Sequence, residues 1–265
     1  MRRLIGAMII LVLSFYPFSH LQADCRISTG EPVTIVSLAD EGRFMLDDGR
    51  VLRLAGLEQP RDAAQQDAWR KLAADFFGVP VVLSFPDHQT DRYGRLTGFV
   101  RRVNGGDLQN VLLAAGQARV VPMRGMGECA SDFLATEQSA RDGQKGFWRL
   151  PEYAPLDALD LTALLAREGE FTLVEGVVAA VAERQGRLFY NFEEDWRRDF
   201  TMTVDRTDVR LFLEGVAGRS DEGAASLLVG KRIRVRGYLS RYNGPEISVT
   251  LPEQVEILSE AALGE

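Results

Sequence analysis

The sequence predicts a mainly β protein with packed helices, arranged as two small barrels in one chain. The chain has 265 residues, more than one small barrel needs, which favours two domains. Hydrophobic residues make up 46% of the chain and charged residues 26%, a balance typical of a folded protein. Apolar and polar residues alternate in two separate regions, and each region carries its own helical segments.

In the first region strands come before most of the helices, as the hydrophobic periodicity shows. The predicted elements are strands over 33–57 with a hairpin turn at Asp47-Asp48-Gly49, a helix capped by Asp62 and ended by Gly78, strands over 81–85 and 96–103, a helix over 108–115, an extended stretch over 118–121, and a helix from Ser131 or Asp132 to about Arg141. This order predicts a small barrel with three helices packed on it.

A second β pattern begins after a linker at Pro151 to Pro155 and a short connecting helix over 156–167. Its predicted elements are strands over 171–182, 187–192 and 199–204, a helix over 208–216, and strands over 231–239 and 245–257. Three strands, a helix and two strands are the order of an OB-fold barrel. The expected domains are a signal peptide over 1–23, a first barrel domain over 27–149, a linker over 150–169 and a second barrel domain over 170–259.

The first residues have the features of a signal peptide. Arg2 and Arg3 form a basic start, and Leu4–Phe18 is almost wholly apolar. That run is about 15 residues long, shorter than the roughly 20 that span a bilayer, and Ala23 offers a small residue for cleavage. We therefore expect an exported protein, periplasmic or secreted, with no membrane span after cleavage. A retained membrane anchor is the alternative.

Export would place the two cysteines in an oxidising compartment, where they can form a disulfide bridge. Cys25 and Cys129 are the only two, and an oxidising compartment favours a bridge between them. Such a bridge closes a loop of roughly 100 residues, for which chain-entropy models give about 4–5 kcal/mol. Two free thiols are the alternative, and a zinc site is not expected from this spacing.

The net charge of −7 argues against a protein that coats nucleic acid by bulk electrostatics. A polyanion site must then be a local basic patch. One candidate is the polar face of the 231–239 strand, since basic grooves with stacking aromatics hold single-stranded nucleic acid. Its members are Arg232, Arg234, Arg236 and Tyr238, which Tyr190, Trp196, Arg197, Arg198, Arg241 and Tyr242 could extend. A merely solvated face is the alternative, because Glu193, Glu194 and Asp195 interrupt the neighbouring loop.

Four motifs of the first region resemble the thermonuclease, or staphylococcal nuclease-like, family. They are Arg53–Pro60 (RLAGLEQP), Thr90–Arg95 (TDRYGR), Asp107–Ala118 (DLQNVLLAAGQA) and Gly146–Trp148 (GFW). Their order and spacing are specific, and the resemblance covers about residues 30–149. It implies a five-stranded OB-type barrel with three helices, and calcium-dependent phosphodiesterase activity on DNA and RNA.

The resemblance also implies a pair of phosphate-binding arginines, which match Arg53 and Arg95. Planar guanidinium groups bind phosphate oxygens bidentately and stabilise the charge that builds at phosphorus. The alternative is that both are surface arginines kept for packing or salt bridges. On this comparison the phosphate-binding half of the site is retained.

The metal and base half departs from the family pattern. A family calcium ligand falls on Gly42, and the family's Asp-Thr-Pro-Glu or Asp-Ala-Pro-Glu reads Glu58-Gln59-Pro60-Arg61 here. Glu58 is a weak candidate metal ligand, and Asp40 becomes another if the hairpin register slips. Arg61 replaces the general base, and an arginine cannot accept a proton. We therefore expect no cofactor, with calcium only if this altered site functions.

Three functions remain open. The preferred one is an exported family member that binds nucleic acid or another phosphate-bearing ligand, with calcium-dependent hydrolysis impaired or lost. The others are an active secreted nuclease with an altered metal site and a non-catalytic envelope scaffold. The sequence identifies no protein partner.

Overall fold

The structure is a computed structural model that describes residues 31–39, 42–86, 90, 94–193, 199–218, 221 and 223–258. The expected signal peptide, together with Cys25, Asp40 and Glu41, lies outside these residues, as do Asp91–Tyr93 and 194–198. Within the described ranges, no helix is long and apolar enough to cross a membrane.

The first region is a closed five-stranded barrel with three helices. Its elements are β1 (Val33–Ala39), β2 (Arg43–Leu46), β3 (Val51–Leu54), β4 (Leu57–Glu58), α1 (Ala63–Ala74), β5 (Pro80–Ser84), β6 (Leu96–Arg102), α2 (Leu108–Ala114), β7 (Arg119–Val120) and α3 (Glu128–Asp142). The barrel order is β1-β2-β3-β6-β5, with β3 and β6 parallel, while β4 and β7 form a separate two-stranded ribbon. The expectation of a mainly β fold with a five-stranded barrel is confirmed.

Local sequence accounts for most of these elements. The alternating residues Phe44, Leu52 and Val100 are fully buried in the barrel core, as a strand with one buried face requires. Asp62 caps α1 by accepting a hydrogen bond from the Gln65 amide at 2.9 Å, which satisfies one free N–H of the first turn. The Asp62 cap thus fixes the start of α1.

The predicted start of α3 at Ser131 or Asp132 is wrong. The helix begins at Glu128, and Gly127 is its N-cap with φ 51°. Glycine adopts this left-handed conformation at little cost, so the chain turns into the helix earlier than the polar capping residues suggest. The earlier start places Cys129 in the buried first turn.

The second region is a strongly curled sheet. Its elements are β8 (Leu156–Asp157), α4 (Leu161–Leu165), β9 (Phe171–Val177), β10 (Ala180–Arg184), β11 (Arg187–Asn191), β12 (Thr201–Val204), α5 (Val209–Ala217), β13 (Arg232–Arg241), β14 (Pro245–Val249) and β15 (Val255–Ile257). The strand order is β10-β11-β12-β14-β13-β9-β8, and β15 pairs with β13. The expected connecting helix over 156–167 is shorter than predicted, because β8 pairs with β9 before α4 begins.

One run of chain in the curled sheet changes partners midway. The Val178 amide donates to Lys231 O at 3.0 Å, whereas the Ala179 amide donates to Asn191 O at 2.9 Å. β9 therefore pairs with β13 and its continuation, β10, pairs with β11. The expected second barrel-like sheet is confirmed in this form.

Between the two regions lies a shared apolar cluster. Its members are Ala140, Phe147, Trp148, Tyr153, Phe171 and Leu173. The rings of Phe147 and Tyr153 stack with centroids 4.2 Å apart. The Gly146–Trp148 motif therefore ends the first region by packing against the second.

Candidate functional site

The two candidate phosphate-binding arginines lie on neighbouring parallel strands. Arg53 of β3 is paired with Thr97 of β6, and Arg95 immediately precedes β6. Because strand side chains alternate, Arg53 and Thr97 share the outward face, on strands about 4.8 Å apart, and Arg95 lies two positions before Thr97. Arg53 is exposed and Arg95 is half-buried. A pair of guanidinium groups suits the bidentate binding of phosphate oxygens.

The side chain of Gln59 limits which residues fit at position 42. Gly42 has φ +66°, and a Cβ placed on it would lie 1.9 Å from Nε2 of Gln59. Nε2 lies 3.5 Å from Gly42 O, to which it donates. The glutamine amide thus occupies the space that a larger side chain at position 42 would need. A cavity of about 270 Å³ adjoins them, lined by Gly42, Gln59, Pro60, Gln66, Trp69 and Arg70.

Glu58, the candidate metal ligand, is engaged by the curled sheet. The Tyr238 hydroxyl of β13 donates to Glu58 Oε2 at 2.8 Å. Burial, followed by this hydrogen bond, raises the pKa of Tyr238 to about 12. The hydroxyl therefore keeps its proton at neutral pH and remains a donor to the carboxylate.

Arg61, at the position of the family's base, is held by both regions. Its Nη2 lies 3.7 Å from Glu58 Oε1, and its Nη1 lies 3.2 Å from Glu170 Oε1. Its backbone amide donates to the Tyr153 hydroxyl at 3.4 Å, and that hydroxyl donates to Asp62 Oδ2 at 2.7 Å. The Arg61 guanidinium therefore links Glu58 of the first region to Glu170 of the second.

Sequence reasoning missed a second cation beside Glu58. Arg119 is paired with Glu58 across the β4–β7 ribbon and is 6% exposed. Its guanidinium carbon lies 5.5 Å from the centre of the Tyr153 ring and 5.2 Å from that of Phe171. Burial lowers the pKa of Arg119, and the charge of Glu58 opposes that shift. The sequence offered one sign of this buried cation: Arg119 lies inside the otherwise apolar 118–121 stretch.

Calcium, which the resemblance implies, does not fit the described residues. The ion takes about six to eight oxygen ligands, whereas Glu58 is the one carboxylate here among the described family positions and two guanidinium groups lie near it. Within the described ranges, no group of three or more His, Cys, Asp and Glu side chains is placed to hold a metal. Asp40, the other candidate, lies outside the described residues.

The predicted nucleic-acid face on β13 is wrong for its two central members. Arg234 is 7% exposed and Arg236 is 0% exposed. Arg236 donates to both carboxylate oxygens of Glu137 at 3.0 Å and to Val120 O at 3.1 Å. The face is covered because it packs on α3 and β7, so these arginines join the two regions.

Other members of that predicted face have separate places. Arg232 is exposed and paired with Glu175 at 3.1 Å, and Tyr238 contacts Glu58. Tyr190, a suggested extension, is wrongly placed there because it is fully buried in the core of the curled sheet. Arg241 and Tyr242 are exposed, and Trp196, Arg197 and Arg198 lie outside the described residues.

One family comparison covers the site. Residues 51–150 match the model of the family described as Staphylococcal nuclease homologue. No curated protein matches the chain. The matched range includes Arg53, Glu58, Arg61 and Arg95, and it ends just after the Gly146–Trp148 motif. Together with the closed five-stranded barrel, the match identifies residues 51–150 as a staphylococcal nuclease-like domain, and so as a domain of a nuclease and nucleic-acid-binding family.

Proposed function

We propose that this protein binds the phosphodiester backbone of nucleic acid through Arg53 and Arg95, and that its calcium-dependent hydrolysis is impaired or lost. The observation that carries the proposal is the environment of Glu58. Its carboxylate accepts a hydrogen bond from Tyr238 at 2.8 Å and lies 3.7 Å from a guanidinium nitrogen of Arg61. A metal ion at Glu58 would have to displace one partner and tolerate the positive charge of the other.

The usual rate contributions of a general base and a metal ion support the proposed loss of hydrolysis. A positioned general base contributes about 10²–10⁴-fold to rate, and a metal adds several kcal/mol of charge stabilisation. Arg61 supplies neither, because a guanidinium stays protonated in proteins. Arg53 and Arg95 depend on neither group, so binding can persist without cleavage.

Export and a Cys25–Cys129 bridge form a further part of the proposal. Cys129 is buried at the start of α3, and the charge pattern of residues 1–23 supports secretion. The intact mass of exported protein, before and after reduction and alkylation, tests both points. An uncleaved N-terminus would contradict signal-peptide cleavage and favour a retained anchor, and two free thiols in fresh unreduced protein would contradict the bridge.

The decisive test measures binding and cleavage side by side. A short oligonucleotide is titrated at several salt concentrations, and cleavage is followed with calcium and with chelator. Arg53→Ala or Arg95→Ala should weaken binding by about tenfold to a hundredfold, as expected for charged hydrogen bonds. Arg210→Ala is the matched control, because Arg210 is 84% exposed on α5 and pairs with Glu214.

Each alternative has its own outcome. Calcium-dependent cleavage by the unaltered protein that disappears in Arg53→Ala would favour the active nuclease. Binding that ignores both arginines would contradict the phosphate site. The absence of salt-sensitive binding to any nucleic acid would favour the scaffold.

A further inference from the structure

A groove of about 270 Å³ lies on the outer face of the curled sheet. Its lining residues belong to the second region, whereas Arg53 and Arg95 belong to the first. Leu188 and Tyr190 of β11 point into the core, so the alternating Phe189 and Asn191 face outward into this groove. The turn between β13 and β14 forms one wall and brings Tyr242 to it.

Two aromatic rings offer flat apolar surface in the groove. Phe189 is half-buried, its partner across the β10–β11 ladder is the small Ala182, and the guanidinium carbon of Arg187 lies 5.1 Å from the centre of its ring. Tyr242 is 68% exposed, yet its backbone is held, since its amide donates to Gly244 O at 2.9 Å. Asn243 has φ 59° in this turn, a conformation that asparagine tolerates better than most residues.

Among the described residues that line the groove, Arg184 is the one exposed charge. The acid Glu246 is 6% exposed and is satisfied by Arg187 Nη2 at 2.8 Å and by the Thr203 hydroxyl at 3.0 Å. Arg184 is exposed and forms no ion pair with any residue in the part of the chain that the structure describes, so its guanidinium is available to a negatively charged ligand.

Two amide side chains complete the lining. Asn191 and Asn243 both face the groove, and neither side chain has a hydrogen-bond partner within the described ranges. Each offers a donor and an acceptor side by side. A ligand with a planar ring, polar ring edges and a negative charge would match the rings, the amides and Arg184 together.

We propose that this groove binds a nucleotide unit of single-stranded nucleic acid, with the base stacked on Phe189 and Tyr242 and a phosphate near Arg184. The inference rests on the proposed function only in assuming that the protein meets nucleic acid. The groove is a second site, and it requires neither the arginine pair nor hydrolysis.

The test compares two ligands and three variants of the full chain. An oligothymidylate of about eight nucleotides supplies bases for stacking, and an abasic strand of equal length supplies the phosphates alone. Tyr242→Ala should lower the affinity for the oligothymidylate about tenfold, the order expected for one stacked base. Tyr242→Phe keeps the ring and should recover most of that loss, and Arg210→Gln removes an exposed charge elsewhere as the control.

The outcomes separate the two sites. A loss in Tyr242→Ala that is absent with the abasic strand supports the groove, even if Arg53→Ala proves silent and the phosphate site fails. An affinity for oligothymidylate within twofold of the unaltered protein in Tyr242→Ala overturns the groove, whatever Arg53→Ala does. A second measurement needs no variant: a bromouracil-containing strand should crosslink to the peptide carrying Tyr242 or to that carrying Phe189, and crosslinking only elsewhere overturns the assignment.

Discussion

The first barrel and the curled sheet share a strand order but carry different charges on corresponding faces. Each contains one parallel pair at the corresponding place in that order: β3 with β6 in the first barrel, and β12 with β14 in the curled sheet. The outward face of the first pair carries Arg53 beside Thr97. The outward face of the second carries Glu246, neutralised by Arg187 at 2.8 Å.

This difference shows that the scaffold does not decide the chemistry. The same strand order leaves an exposed guanidinium in one region and a satisfied ion pair in the other. Function on such folds depends on the side chains that one face presents. It also depends on which side chains a second region brings into contact, since Tyr238 and Glu170 contact Glu58 and Arg61 of the first region.

The largest expected effect tests whether the two regions form one folding unit. Arg236→Ala leaves Glu137 buried without its main partner and should lower the free energy of unfolding by about 3–5 kcal/mol. Arg232→Ala, which removes an exposed arginine from the same strand, should cost at most about 1 kcal/mol. Urea unfolding of both variants provides the measurement. Equal effects of the two changes would mean that the interface contributes little.

The next effect tests whether the residues at positions 42, 58, 59 and 61 account for the proposed loss of calcium-dependent cleavage. Restoring Gly42→Asp, Glu58→Asp and Arg61→Glu together with Gln59→Thr should raise calcium-dependent cleavage about a hundredfold above background, at the low end of what one general base supplies. Omitting Gln59→Thr should reduce the gain, because Gln59 occupies the space at position 42. Cleavage of a labelled strand with calcium and with chelator is measured. Full activity from Arg61→Glu alone would contradict the idea that these groups act as a unit.

A smaller effect tests how much the hydrogen bond between Tyr238 of the curled sheet and Glu58 of the first region contributes to stability. Tyr238→Phe removes the hydrogen bond to Glu58 and should cost about 0.5–1.5 kcal/mol of unfolding free energy. Folding raises the pKa of Tyr238 from 10.0 to about 12, so its contribution is fully present below about pH 10 and is lost as pH rises towards about pH 12. Stability measured across that window should therefore fall more in the unaltered protein than in Tyr238→Phe. Parallel curves would exclude this linkage.

The smallest expected effect is that of calcium. An ion that bound only the folded protein would add about 2.7 kcal/mol at a hundredfold excess over its Kd. We expect no rise in Tm in millimolar calcium compared with magnesium, because Arg61 and Arg119 lie beside Glu58. A clear rise specific to calcium would restore Glu58 and Asp40 as metal ligands.

The sequence predicted both β regions because alternation and turn residues are local signals. The face of β13 was misjudged for a related reason. Alternation identifies two faces of a strand but not what covers the outer one. The partner of Arg236 is Glu137, which lies 99 positions earlier in the chain. For the same reason the contact of Tyr238 with Glu58, 180 positions apart, had no local signal.

Gly42 and Gln59 also constrain the order in which this site could change during evolution. An aspartate arriving first at position 42 would meet the glutamine amide and would have to adopt the left-handed φ of +66°. Loss of the glutamine first would only empty the space, with Arg61 still beside Glu58. Neither single step gives selection an improved catalyst to retain. If catalysis was lost as proposed, regaining it would therefore need substitutions at both positions together with a change at Arg61.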